Sequence, residues 1–224
     1  MNQPVVEFQC VSKSYVRGEQ EIPVLKDFSL SVPQGQFLAI MGPSGSGKTT
    51  ILNLVEGLDR PTEGIIHAAG IAVSQQGETD LARWRARHIG FVFQFYNLIP
   101  VLTAAKNVEL PLLLSKLTKR ERFKHVQAAL GLVRLSDRIH HYPCQLSGGQ
   151  EQRVGIARAI VSDPTILLAD EPTGNLDRSA AQAIMALLTL LHQELNKTIL
   201  MVTHDPQAAD YAQKILHLDK GKMN

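Results

Sequence analysis

From Gly42 to Thr50 the chain reads GPSGSGKTT, directly after the apolar run Phe37-Leu38-Ala39-Ile40-Met41. The spacing Gly42-x-x-x-x-Gly47-Lys48-Thr49 is that of a phosphate-binding loop, placed where such a loop must lie, after a strand-like run and before a helical pattern. Glycines let backbone N–H groups turn inward around phosphate oxygens, and the following helix adds the positive end of its dipole. Gly42, Pro43, Ser44, Gly45, Ser46, Gly47, Lys48, Thr49 and Thr50 are therefore the candidate cradle for a nucleotide triphosphate. The ammonium of Lys48 is expected at the β and γ phosphates, and the Thr49 hydroxyl on a magnesium ion, which takes oxygen ligands. The loop alone does not choose among kinases, GTPases, helicases and transporters.

Three later stretches narrow the chemistry: LSGGQ (Leu146 to Gln150), ILLADEPTGNLD (Ile166 to Asp177) and TILMVTHD (Thr198 to Asp205). The apolar residues Ile166 to Ala169 form a strand that delivers Asp170 and Glu171 to the carboxyl edge of a sheet, where open α/β folds bind ligands. There Asp170 suits magnesium, and Glu171 suits a general base acting on water. Ser147, Gly148 and Gly149 open a helix that continues through Val154, Ile156 and Ile160. Its free N–H groups and dipole also face an anion. One chain thus carries two half-sites for phosphate.

The elements that must position these groups are legible as patterns. Apolar runs at Phe37 to Met41, Ile166 to Ala169 and Ile199 to Val202 read as buried parallel strands. Ile184, Leu187, Leu188, Leu191 and Leu195 draw one helical stripe between two of them. Alternation of strand and helix argues an open, doubly wound sheet. Val5 to Val11 and Leu25 to Val32 read as strands of a separate antiparallel sheet, bounded by the turn-prone VRGEQEIP and VPQGQ. From about Tyr96 to Gln150 the strand signal vanishes. There Thr118-x-x-Glu121 forms a capping box that opens a helix with Phe123, Val126 and Leu130 inside.

Composition excludes several classes. An apolar fraction of 44% with a net charge of +2 over 224 residues describes a globular chain, neither fibrous nor disordered. Arg83, Arg85, Arg87 and Lys119, Arg120, Arg122 read as solvated helix faces, so no nucleic acid is expected. Cys10 and Cys144 have neither metal-site nor disulfide spacing, which fits a reducing compartment. His140-His141 and the other histidines apart from His204 fit no ligand spacing. No apolar run is long enough to span a bilayer, so no direct membrane insertion is expected.

The phosphate loop, LSGGQ, ADEPTGNLD and TILMVTHD, in this order, resemble the ATP-binding subunits of ABC transporters, and the likeness covers practically the whole chain. It implies a P-loop NTPase, RecA-like α/β fold: a mostly parallel core with an N-terminal antiparallel β subdomain (1–95 and 151–224) and an inserted α-helical subdomain (96–150). It implies ATP and magnesium, with Glu171, His204, Gln94 and Lys48 as the catalytic set. By the same resemblance Gln94, in FVFQFYNL, joins Thr49 and Asp170 in sensing magnesium and water, and His204 contacts the γ-phosphate. Tyr15, in VSKSYVRG, stacks on adenine. Two ATP molecules would be sandwiched in a head-to-tail homodimer, between the phosphate loop of one subunit and Ser147, Gly148, Gly149 and Gln150 of the other. Asn175, Leu176 and Asp177 would lie at that seam.

The stretch GFVFQFYNLIPVLTAAKNVELPLLL is similar to the branch that includes the lipoprotein-releasing, macrolide-exporting and cell-division ATPases of bacteria. That similarity implies a separate transmembrane permease docking near Gln94 to Val101, and a chain peripheral on the cytoplasmic face of the inner membrane. Glu56 and Glu151 depart from the branch's pattern. The competing readings are a cell-division ATPase controlling cell-wall hydrolysis and a nontransport ABC ATPase. The long coiled coil or paired cassettes of the latter are not seen in the sequence.

Overall fold

In the computed structural model, which describes residues 4–223, each apolar run forms a buried strand. In chain order the strands and helices are β1 (Val6–Arg17), β2 (Gln20–Val32), β3 (Phe37–Met41), α1 (Lys48–Val55), β4 (Glu63–Ala68), β5 (Ile71–Ala72), α2 (Glu78–His88) and β6 (Ile89–Val92). There follow α3 (Ala104–Glu109), α4 (Lys119–Leu132), α5 (Gly148–Ile160), β7 (Ile166–Asp170), α6 (Arg178–Leu195), β8 (Thr198–Thr203), α7 (Pro206–Ala209), β9 (Lys214–Asp219) and β10 (Lys222–Met223). One sheet has the order β2-β1-β4-β5 and is antiparallel; the other runs β10-β9-β3-β8-β7-β6 and is parallel from β9 to β6.

Because β3, β7 and β8 are covered on both faces, alternate residues enter different cores. Phe37, Ala39, Leu167, Ala169, Ile199 and Met201 pack with α3, α4, α5 and α6. Leu38, Ile40, Ile166, Leu168, Leu200 and Val202 pack with α1, Trp84 of α2 and the antiparallel sheet. Gly90 of β6 lies so close to the carbonyl of Ala159 that any side chain there would collide with it, which fixes how near α5 approaches the sheet.

The structure corrects several sequence expectations. VRGEQEIP is no long turn: β1 and β2 pair as far as Arg17 and Gln20, leaving Gly18 and Glu19 as the hairpin tip, with Gly18 at φ 64°. That tip is polar because both its faces meet solvent, so pairing there needs no apolar alternation. Strands β4, β5 and β6 were missed because they are short and mixed in character. Helix α4 has its capping box on Thr118 and Glu121, but Phe123 is 46% exposed, and Val126, Ala129 and Leu130 make its buried face. On α6, Leu195 is exposed and His192 takes its place in the core, against Phe37.

Two of the supposed solvated cations are structural. Arg85 donates to the carbonyls of Glu56 and Gly57, and Arg122 bonds Glu109 and the Leu117 carbonyl. Residues 96–150 contain no strand. Their apolar side chains, Val108, Leu112, Val126 and Leu130 among them, join the core on one face of the parallel sheet.

Candidate active site

The carboxyl end of β3 runs into the glycine-rich loop, whose Gly45 and Gly47 take φ values of 80° and 104°. Gly47 is the N-cap of α1 and brings no side-chain cap, so the first-turn N–H groups are left for a ligand. The Ser46 hydroxyl is buried with no hydrogen-bond partner. Lys48 Nζ donates to the carbonyls of Gly42 and Pro43 at 2.6 and 3.0 Å, folded back on its own loop. Thr49 Oγ1 donates to Asp170 Oδ2 at 3.2 Å, which pairs a hydroxyl and a carboxylate as oxygen ligands of a hard divalent cation require. Burial raises the pKa of Asp170, against the Thr49 hydrogen bond; the neighbouring Glu171 charge adds to the rise and Lys48 opposes it.

Glu171 follows β7 in left-handed backbone, φ 45°. That conformation costs a residue with a Cβ about 1–3 kcal/mol and persists only where neighbours enforce it. Here the Glu171 N–H donates to the Val202 carbonyl and its carbonyl accepts from Gly174 N, each at 3.0 Å. The carboxylate is held from three sides: by His204 Nδ1 at 2.7 Å, Thr203 Oγ1 at 3.1 Å and His204 N at 3.3 Å. Thr203, fully buried, was missed by the sequence reading, since a threonine at a strand end carries no signal of its own.

Gln94 lies two residues beyond β6. Its carbonyl accepts from Asn175 Nδ2 at 3.0 Å, and its amide rests on Gly174, where an added Cβ would lie 2.9 Å from Nε2. The next residues, Tyr96 and Asn97, are both left-handed (φ 57° and 49°), and α5 bonds to them through Arg158. Burial raises the pKa of the Tyr96 phenol, and the charge of Glu151 adds to it.

Ser147 caps α5: its hydroxyl accepts from Gln150 N at 3.4 Å while Gln150 Oε1 accepts from Ser147 N at 3.0 Å. A side-chain carbon added at Gly148 would meet Tyr96 Oη at 2.9 Å, and one at Gly149 would meet Ala180 Cβ at 3.1 Å. The structure therefore places LSGGQ against the Gln94 segment and the start of α6, apart from the phosphate loop of the same chain.

Tyr15 Oη donates to Asp59 Oδ2 at 2.5 Å, and Lys13 Nζ sits 4.7 Å over the Tyr15 ring while bonding Asp59 Oδ1 at 2.6 Å. Burial and Asp59 raise the phenol pKa; the hydroxyl of Thr50, beside it in α1, lowers it. One face of the ring is thus taken by Lys13. Neither Lys13 nor Asp59 was singled out from sequence.

Beyond Gln94, Phe95 and Val101 are 70% and 77% exposed, and Asn107, fully buried, bonds the backbone of Ile99, Leu102 and Thr103 to fix the segment's shape. A groove of about 910 Å³ lies between α2 and residues 111–117, lined by Arg83, Arg87, Leu112, Leu114, Lys116 and Leu117 among others. At the far end of α1, Glu56 is only 7% exposed. Burial pushes its carboxyl up to about 7 against the opposing charge of Arg85.

Among the described residues no helix is long and apolar enough to cross a membrane, and both cysteines are free.

A family model described as ABC transporter matches residues 25–174. The lipoprotein-releasing system ATP-binding protein LolD of Chromohalobacter salexigens is 41% identical over 100% of this chain and 94% of its own length. The macrolide export ATP-binding/permease protein MacB 2 of Aeromonas hydrophila is 44% identical over 100% of this chain, which spans 34% of that longer protein. A dimeric structure of the ATP-binding cassette MJ0796 in a post-hydrolysis state, bound to ADP and Pi, superposes with a TM-score of 0.89 at 43% identity, covering 98% of this chain and 96% of that one.

Proposed function

The chain belongs to the ABC transporter family, and from that membership we propose how its residues carry out the ATP hydrolysis of a transporter's ATP-binding subunit. The observation that carries the reading is the Glu171 carboxylate, fixed by His204 and Thr203 beside a phosphate loop whose Ser46 hydroxyl and α1 amides have no internal partner.

ATP binds with its phosphates over α1 and its adenine on the open face of Tyr15. Lys48 exchanges the Gly42 and Pro43 carbonyls for β and γ oxygens. Thr49, Asp170 and Gln94 would hold magnesium, which supplies positive charge that neutralises the phosphates. Glu171 takes a proton from water as that water attacks the γ-phosphorus; the bond to the bridging oxygen breaks, and ADP and phosphate result. The Nδ1–H of His204 and the Thr203 hydroxyl keep the carboxylate aimed, leaving His204 Nε2 for the γ-phosphate.

Because Ser147, Gly148 and Gly149 lie apart from the phosphate loop of their own chain, they serve the nucleotide of a second copy, and the working form is a head-to-tail homodimer. The exposed surface from Gln94 to Val101 receives a membrane-embedded partner of the lipoprotein-release or macrolide-export kind. The chain thus sits on the cytoplasmic face of the membrane, with residues 96–150 as the helical unit between nucleotide and partner.

Glu171→Gln tests this. ATP binding should persist while turnover falls by about 10² to 10⁴, the scale of a positioned general base. The stalled protein should run as a dimer with ATP and magnesium on size exclusion, since a ligand held only by the closed form stabilises it. Near-normal turnover would remove Glu171 from this role.

A further inference from the structure

Residues Phe93–Asn97 carry Gln94; Asn175 Nδ2 holds the Gln94 carbonyl in the middle, and side chains of one helix grip the backbone at both ends. Arg158 Nη1 donates to the Asn97 carbonyl at 2.6 Å and Nη2 to the Tyr96 carbonyl at 2.8 Å. The same guanidinium lies 5.7 Å from the centre of the Phe93 ring. Gln152, fully buried, donates from Nε2 to the Phe93 carbonyl at 3.1 Å and to that of Pro172, next to Glu171, at 2.6 Å.

Both side chains belong to α5, the helix that Ser147 caps. One rod therefore bears the LSGGQ stretch, the signature, at its N-terminus and, along its length, the bonds that fix both ends of the Gln94 segment. Two successive left-handed residues, Tyr96 and Asn97, turn their carbonyls toward the same guanidinium. A planar fork can satisfy both at once, which a single ammonium cannot.

We propose that Arg158 is a positioning residue for ATP hydrolysis: by fixing the Tyr96 and Asn97 carbonyls it holds Gln94 in place, and because it rides on α5 it ties that place to the position of the signature. The proposal rests on Gln94 acting in the site, as read above. Docking of Ser147–Gly149 on a partner's nucleotide then sets Gln94 in the docked subunit as well, through a connection that runs along one helix.

Arg158→Lys keeps the charge and loses the fork. In the full-length chain its kcat should fall about tenfold, the order of effect of a small misplacement at a reacting centre, with KM for ATP changed less than about twofold. Amide exchange in 93–97 should accelerate about tenfold without nucleotide, while the phosphate loop and β7 keep their protection. Since Arg158 acts through Gln94, Arg158→Lys combined with Gln94→Ala should turn over no more slowly than Gln94→Ala alone.

Rate losses that multiply in the double variant, or unchanged exchange in 93–97, would overturn the proposal, because residues acting separately combine independently. Gln94→Ala with normal turnover would instead overturn the role of Gln94 itself, and the positioning proposal with it. Arg158→Gln, which keeps two donors of one amide and no charge, should restore little of the loss; full recovery would also count against the fork.

Discussion

Helices α1 and α5 both begin where an anion could sit, yet their first turns are built differently. Gly47 gives α1 no side-chain cap, so its leading amides face outward, and the buried Ser46 hydroxyl beside them has no partner. At α5, Ser147 and Gln150 close a capping box on each other, which leaves the Gly148 and Gly149 amides and the Ser147 hydroxyl proton for a ligand. The first terminus is incomplete without its anion. The second is already held by its capping box in the lone chain, with two amides left over, and gains from an anion that arrives already bound elsewhere. A binding order follows from capping alone: nucleotide on the phosphate loop first, signature second.

The strongest way to break this contrast is at Lys48. Lys48→Ala should weaken ATP binding by about 10²-fold, as charge-assisted hydrogen bonds to the phosphates are lost, and isothermal titration would read it. Unchanged affinity would mean that α1 is not the first station. Ser147→Asp sharpens the other half, because aspartate caps a helix as well as serine does while its charge repels an arriving phosphate. ATP affinity should stay within about twofold, yet the ATP dimer of the Glu171→Gln protein should vanish from size exclusion. A surviving dimer would detach the signature from the nucleotide.

A smaller effect tests the far end of α1. Burial keeps Glu56 protonated up to about pH 7 in the native chain, whereas the unfolded chain releases that proton near 4.5. Between those values the native state binds more protons, so its stability is full below 4.5 and is lost as pH rises through 7, by up to about 3 kcal/mol. Glu56→Gln should raise the thermal midpoint at about pH 8 and flatten its fall from about pH 5. An unchanged slope would assign the pH dependence to another group. Least of all, Ser147→Ala removes the α5 cap and should cost about 1 kcal/mol in denaturant unfolding.

What could be read in advance divides by the range of the interactions involved. Gly42 to Thr50, Asp170, Glu171 and the three buried strands are local statements, in which residue type and spacing carry the chemistry. Thr203, Asp59, Gln152 and Arg158 act in the site through partners 20 to 62 residues away, for example Thr203 on Glu171 and Arg158 on Tyr96. Their side chains look ordinary until the chain folds. The same limit misplaced Phe123 and Leu195: helical spacing finds a stripe, but neighbours decide how far along the helix it stays covered.

The interleaving of β3, β7 and β8 between two cores also has a consequence for synthesis. Val126 and Leu130 belong to the same core as Leu167 of β7 and Met201 of β8 and are made well before them. At a ribosomal pace of about 5–20 residues per second, the stretch from Leu132 to Met201 takes roughly 4–14 s to appear. Throughout that interval α4 has only α3 and, once made, α5 to pack against, so the core that these helices share with β7 and β8 stays open until those strands leave the ribosome.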